Sequence, residues 1–344
     1  MLTRRKKVIF YLVFFTLFLL VFIPAAEILA RVTGHRPWVV NELRVKVEPG
    51  GRLYTTHPIL GYAPLPGQFK VTIDDSYVFR FTNLSNSLRV THPLNTYPVQ
   101  SGRNEIWILG DSITYGWSVN DEEAFPWLLQ GELPNFEIVN FGAMGYGTLQ
   151  SLIQMREAFQ HRAKPKLIVL NYASWHDVRN TFIRARRKML AVASSLGPVN
   201  QPYARLAKDE KLEIVQGTLQ YREFPLMRYS ALSNMLEETY DEYEERYVDS
   251  HKVTKAIVKE IARLCRAEGI EVVVAGLTSD ATTSDMLAHA QSEGMKTFSM
   301  FVDLSIKENN NLPFDSHPSA AAHRQYAQLL KPYLTNLLQE ERQK

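Results

Sequence analysis

The 344-residue chain is 45% hydrophobic and 22% charged, an ordinary globular composition with enough apolar material for a sizeable core. Its net charge of +3 is a local matter: removing Arg4, Arg5, Lys6 and Lys7 from the 39 Lys and Arg leaves 35 against 36 Asp and Glu. A nucleic-acid binder would want a concentrated basic face, and the only other basic cluster is Arg184 to Lys188; the single Cys265 excludes an intrachain disulfide.

The first predicted element comes directly after those four cations. Val8 to Ala26 is uncharged and apolar, and nineteen residues at helical rise cover about 28 Å, close to a hydrocarbon core of roughly 30 Å. Basic residues stay cytoplasmic, so residues 1–30 are expected to be a basic tail and single-pass anchor, with the rest extracytoplasmic, in the periplasm or at the cell surface. A cleaved signal peptide is the rival reading. Its apolar core would be shorter, about 7–15 residues, and Pro24-Ala25-Ala26 is a poor cleavage site.

Residues 31–103 read as a stalk and a small β-rich segment. Gln68–Ile73 and Tyr77–Phe81 are its clearest strands. From residue 104 strands alternate with helices. The strands are Glu105–Leu109, Glu137–Asn140, Leu167–Tyr172 and Glu271–Ala275; the helices are Thr148–His161, Val253–Glu268 and Ser319–Leu338. This order predicts a parallel sheet covered on both faces, with reactive groups at the carboxyl ends of its strands. Residues 179–250 interrupt the alternation as a mostly helical insertion, either a lid or a tolerated surface element. Arg184–Lys188 within it, with Arg179, reads as a solvated helix face rather than a phosphate site.

The first of these strands ends in Gly110-Asp111-Ser112-Ile113-Thr114-Tyr115-Gly116. Serine there lies at the sheet's reactive edge, but it needs a base held by a third group; alone, the tripeptide is equally a turn or helix cap. A base with its acid is offered by Asp315-Ser316-His317-Pro318, where a carboxylate two positions from a histidine can fix its tautomer. Taken singly, His317 is a loop histidine and Asp315 a helix cap. After the second strand, Asn140-Phe141-Gly142-Ala143-Met144-Gly145-Tyr146-Gly147 exposes backbone N–H groups beside a helix start, which suits a developing oxyanion. Its glycine spacing is not the dinucleotide fingerprint, and no Walker-type Gly-Lys-Ser/Thr comes after it. His323 reads as a helix-packing residue and Asp111 as a brace for the serine turn. No metal-ligand set is expected, and no cofactor.

In register, these segments resemble the GDSL/SGNH hydrolase superfamily from about Glu105 to Leu338. The first block falls on Gly110-Asp111-Ser112, the second-block glycine on Gly145, the third block on Ser174-Trp175-His176-Asp177 and the last on Asp315-Ser316-His317-Pro318. The opening stretch, with His57-Pro58-Ile59-Leu60-Gly61-Tyr62, is similar to membrane-anchored bacterial members. The resemblance implies a flavodoxin-like three-layer α/β/α sandwich with a parallel sheet. It also implies a metal-free Ser112–His317–Asp315 esterase, acting on acyl esters of envelope glycans or lipids. Ser112, Gly145 and His176 would form the oxyanion hole, His176 standing where the family has asparagine. An O-acyltransferase acting on an envelope polysaccharide, or a non-catalytic scaffold with the same fold, would fit the same motifs. The expected partners are the bilayer and an ester substrate, with no nucleic acid; protein partners are not indicated.

Overall fold

The computed structural model describes residues 3–40, 44–94, 104–193, 196–197 and 199–342. Its contacts divide the chain into two units, Met1–Glu42 with Gln220–Tyr247, and Leu43–Leu219 with Val248–Lys344. The expected boundary near residue 103 falls beside residues 95–103, which lie outside the described residues.

The first unit begins with α1 (Arg4–Val32), a helix whose apolar side chains from Val8 to Ile23 are exposed. Apolar all round, with its backbone satisfied internally, it is long and apolar enough to cross a membrane.

In the second unit, β1 (Val45–Glu48), β4 (Gly67–Ile73) and β5 (Tyr77–Asn83) form a small antiparallel sheet, and β2 (Tyr54–His57) pairs with β3 (Gly61–Pro64). The alternation of β4 and β5 turns Phe69, Val71, Ile73, Phe79 and Phe81 inward, against Tyr115 and Trp117. Among the described residues, an antiparallel bridge from Arg89 to Asn140 joins this region to the edge of the main sheet.

The main sheet holds β6 (Asn104–Leu109), β7 (Phe136–Asn140), β8 (Leu167–Tyr172), β11 (Glu271–Gly276) and β12 (Lys296–Ser299) in the order β7-β6-β8-β11-β12. Every pairing is parallel. Counted along the chain this is the order 2-1-3-4-5, the flavodoxin-like winding. Trp107, Leu109, Ile168, Leu170 and Val274 face one core, with α4 (Thr148–His161) and α8 (Ser250–Glu268). Ile106, Ile108, Val169, Val273 and Ala275 face the other, with α3 (Phe125–Glu132) and α10 (Ala320–Arg342). Strands apolar on both faces need this cover, and the three-layer α/β/α sandwich is the result. Winding reverses between β6 and β8, so the crevice lies at the carboxyl ends of these strands.

The stretch 179–250 contains more than helices. It holds α6 (Arg184–Ala193), an antiparallel hairpin of β9 (Asn200–Leu206) and β10 (Leu212–Thr218), and α7 (Ala231–Val248), which up to Tyr247 belongs to the first unit. The helix α9 (Ala281–Ser292) and the short strand β12 carry little periodic signal, and periodicity does not predict them.

Candidate active site

Ser112 opens α2 (Ser112–Tyr115), one helical turn placed directly after β6. Asp111 caps it, its Oδ1 accepting the Ile113 N–H at 3.0 Å, and Gly116 closes it in the left-handed region at φ 82°. Two close approaches fix the surroundings. A Cβ on Gly142 would lie 2.3 Å from the Tyr115 nitrogen, so only glycine lets the β7 loop pass this turn. Arg89, fully buried, donates to the carbonyls of Tyr115, Gly116 and Val119 and pairs with Asp121 at 3.1 Å. It thereby satisfies the carbonyls that the single turn leaves open.

The residues expected to act together meet across 205 positions of sequence. His317 Nε2 lies 2.9 Å from Ser112 Oγ, and His317 Nδ1 lies 2.5 Å from Asp315 Oδ1. Asp315–Pro318 is the short strand β14, paired with β13 (Asn310–Asn311), where the sequence suggests only a loop. The same carboxylate accepts the His317 backbone N–H at 2.7 Å, and its Oδ2 accepts the indole N–H of Trp117 at 2.8 Å. Burial alone would raise the Asp315 pKa; bonding to His317 and Trp117 overcomes it and holds the carboxyl below its usual range. His323 is elsewhere: buried in α10, it accepts the Phe125 N–H at 3.2 Å, and burial pushes its pKa down to about 3.

Asp111 is the second focus. Its buried Oδ2 accepts from Trp175 Nε1 at 2.8 Å and Arg179 Nη1 at 2.9 Å. His176 Nε2 stands 3.2 Å from the same oxygen, an ion-pair distance whose angle falls outside hydrogen-bond geometry. Desolvation raises the Asp111 pKa, but His176, Arg179 and Trp175 together drive it well below the carboxylate range. His176 starts α5 (His176–Asn180), is fully buried against Tyr172 and Trp175, and its Nδ1 has no hydrogen-bond partner among the described residues.

The loop carrying Gly145 is held carbonyl by carbonyl. Tyr62 Oη donates to Met144 O at 2.7 Å, Arg186 Nη2 to Gly145 O at 2.9 Å, and Arg179 Nη1 to Tyr146 O at 3.1 Å. Gly145 itself has φ 71°, and a Cβ there would lie 2.7 Å from Tyr62 Oη. Burial raises the Tyr62 pKa, which keeps its hydroxyl a donor. Burial also lowers that of Arg186, to about 10, and leaves it a cation at neutral pH. The expected solvated face at 179–188 is corrected here: Arg186 is 2% exposed, and Arg179 is largely buried against Asp111. Periodicity could not show this, because the carbonyls these guanidiniums serve lie on another loop. Among the described residues, neither Ser112 N–H nor Gly145 N–H has a hydrogen-bond acceptor, and no group of His, Cys, Asp and Glu could hold a metal ion.

No family model and no curated protein sequence matches the chain. Solved structures similar to it include that of TesA, at 14% identity and a TM-score of 0.39, covering 68% of this chain and 99% of that one. Another is a member of the lipolytic protein G-D-S-L family from Veillonella parvula, at 14% identity and a TM-score of 0.35, covering 65% and 94%. At that identity and overlap the likeness assigns no role to any residue, and the chemistry must come from the site's own atoms.

Proposed function

We propose that the chain is a serine ester hydrolase that works without a metal. The observation supporting this most directly is the unbroken chain from Asp315 Oδ1 through His317 to Ser112 Oγ. Asp315 keeps the Nδ1 proton on His317, so Nε2 is free to accept the serine proton as Oγ attacks an acyl carbonyl. The imidazolium then returns that proton to the departing alcohol. Water, deprotonated by the same nitrogen, releases the acid from the acyl-enzyme.

In this reading the oxyanion is received by Ser112 N–H, Gly145 N–H and His176. The first two suit the role because neither has another acceptor among the described residues. Nε2 of His176 lies 3.2 Å from the Asp111 carboxylate and Nδ1 has no partner among the described residues, so Nδ1 is assigned the donor role with both ring nitrogens carrying protons. Tyr62 supports the second donor. Its bond to Met144 O polarises the Met144–Gly145 peptide, strengthening the N–H at the other end.

Helix α1 is read as an uncleaved anchor that keeps the catalytic unit outside the cytoplasm, with ester substrates drawn from the cell envelope. The test of catalysis requires no knowledge of substrate. A fluorophosphonate probe should add its mass to the Ser112 peptide of the wild type and nothing to Ser112→Ala. An unlabelled wild type would overturn the reading.

A further inference from the structure

The first unit carries a feature that catalysis does not use. Glu27 is the first charged residue after the apolar run of α1. Its carboxylate accepts from Ser230 Oγ at 2.7 Å and from the N–H groups of Ala231 and Leu232 at 3.0 and 2.9 Å. A side chain of α1 thus caps the start of α7, satisfying open N–H groups and opposing the positive end of its dipole. Four residues further along α1, Arg31 Nη2 donates to Tyr229 O at 3.0 Å, and its Nε bonds Glu27 at 2.6 Å. Beyond the helix, Trp38 N–H donates to Met227 O at 2.9 Å, and Arg228 lies 5.2 Å over the Trp38 ring.

These contacts fix the height of the turn 226–230 along α1. Glu27 lies one residue past the apolar run, and Arg31 is about 6 Å further at helical rise. A headgroup layer is of comparable depth, about 5–7 Å on each side of the hydrocarbon. At that height the turn presents two large side chains outward, Leu226 at 70% and Tyr229 at 78% exposure. Leu226 does so from φ 62°, a left-handed conformation unfavourable for a branched residue. The turn closes on it all the same, with the Tyr229 and Ser230 N–H groups both donating to Leu226 O at 2.8 Å.

We infer that this turn is a second membrane contact: Leu226 and Tyr229 enter the headgroup–acyl boundary of the bilayer that α1 crosses, with the Arg228–Glu223 and Arg31–Glu27 pairs on its aqueous side. Lipid is the occupant because the turn is hydrogen-bonded to the outer end of α1, just past the exposed apolar run of that helix. An exposed tyrosine beside an exposed aliphatic side chain suits that boundary. The inference rests on reading α1 as an anchor. Its consequence is orientation: a single helix can tilt freely in the bilayer, whereas a second contact, bonded to the helix end, fixes how the first unit meets the surface.

The experiment uses the full chain in phosphatidylcholine–phosphatidylglycerol vesicles, with Cys265→Ser as background. Bimane is attached to Leu226→Cys, Tyr229→Cys or, within α1, Leu20→Cys. Each is quenched by lipid spin-labelled at the headgroup or deep in the acyl chain. Positions 226 and 229 should be quenched at least twofold more by the headgroup label than by the deep one, and position 20 the reverse. Adding Glu27→Gln should weaken quenching at 226 and 229 and leave position 20 unchanged. Quenching at position 20 with none at 226 or 229 would overturn this inference and leave the anchor standing. No quenching at any position would remove both. Shielding of 226 and 229 that grows with protein-to-lipid ratio, without lipid quenching, would give the turn to a second copy of the chain and also overturn the proposal.

Discussion

The two edges of the crevice around Ser112 are built differently. On one, Asp315 and His317 are two residues apart and Asp111 caps the turn it precedes, so the bonds that aim the His317 ring and open the Ser112 turn are local, with Trp117, Trp175 and Arg179 bracing the two carboxylates from a distance. On the other, the Gly145 loop has its successive carbonyls held by Tyr62 from β3, Arg186 from α6 and Arg179 from α5, none of them a neighbour in sequence. Local bonds survive in any fold that keeps the segment intact. Long-range ones exist only once the β-rich segment, the insertion and the sheet are all in place. The nucleophile edge should therefore respond to substitution through chemistry, and the oxyanion edge through positioning.

The largest effects are expected on the first edge. Ser112→Ala and His317→Ala should each lower kcat on an activated ester by about 10⁴-fold or more, and the double variant should be little worse, since the residues act as a unit. Asp315→Ala should be milder than either. Additive losses in the double variant, measured on p-nitrophenyl acetate, would break the coupling.

On the other edge, His176→Ala should cost about 10²–10³ in kcat, the usual range for one oxyanion donor, with KM little changed. His176→Asn should keep much of the activity by restoring a side-chain N–H. Equal losses in the two variants, with a lowered melting temperature in both, would assign His176 to supporting Asp111 alone.

Tyr62→Phe sharpens the comparison because it leaves every proposed donor present. It should lower kcat about tenfold, the expected order for a donor weakened and shifted by less than about 1 Å, with KM unchanged. 3-Fluorotyrosine at position 62, a stronger donor of the same shape, should preserve or raise the rate. A rate indifferent to both changes would detach the β-rich segment from catalysis.

The smallest effect concerns His251, which bridges Asp177 and Asp285 at 2.7 Å each. Burial alone would lower its pKa, but the two carboxylates overcome this and raise it. A raised folded-state value means that the stabilisation is fully present below the unfolded value of about 6.5 and is lost as pH rises through the folded one. His251→Gln should accordingly cost under about 1 kcal/mol, the range for partly solvated pairs. Urea denaturation should find that difference near about pH 5.5 and much less of it near about pH 9.

The sequence by itself determined what depends on short range. The apolar length of α1, the strands β6, β7, β8 and β11, Ser112 just past a strand end and the Asp315–His317 pair before the last helix could be read from periodicity and spacing, while Gly145 stood out only through the family resemblance. Tertiary structure decided the rest. Arg186 looks like a solvated cation until the carbonyl of Gly145 is brought to it, and Tyr62 looks like part of a separate β element until it reaches Met144. Trp117 has no visible role until its indole finds Asp315, and Glu27 reads as a helix charge until α7 begins against it. Burial and hydrogen-bond partners are properties of pairs distant in sequence, and a one-dimensional pattern records only which residue types recur, not which atoms the fold brings within about 3 Å.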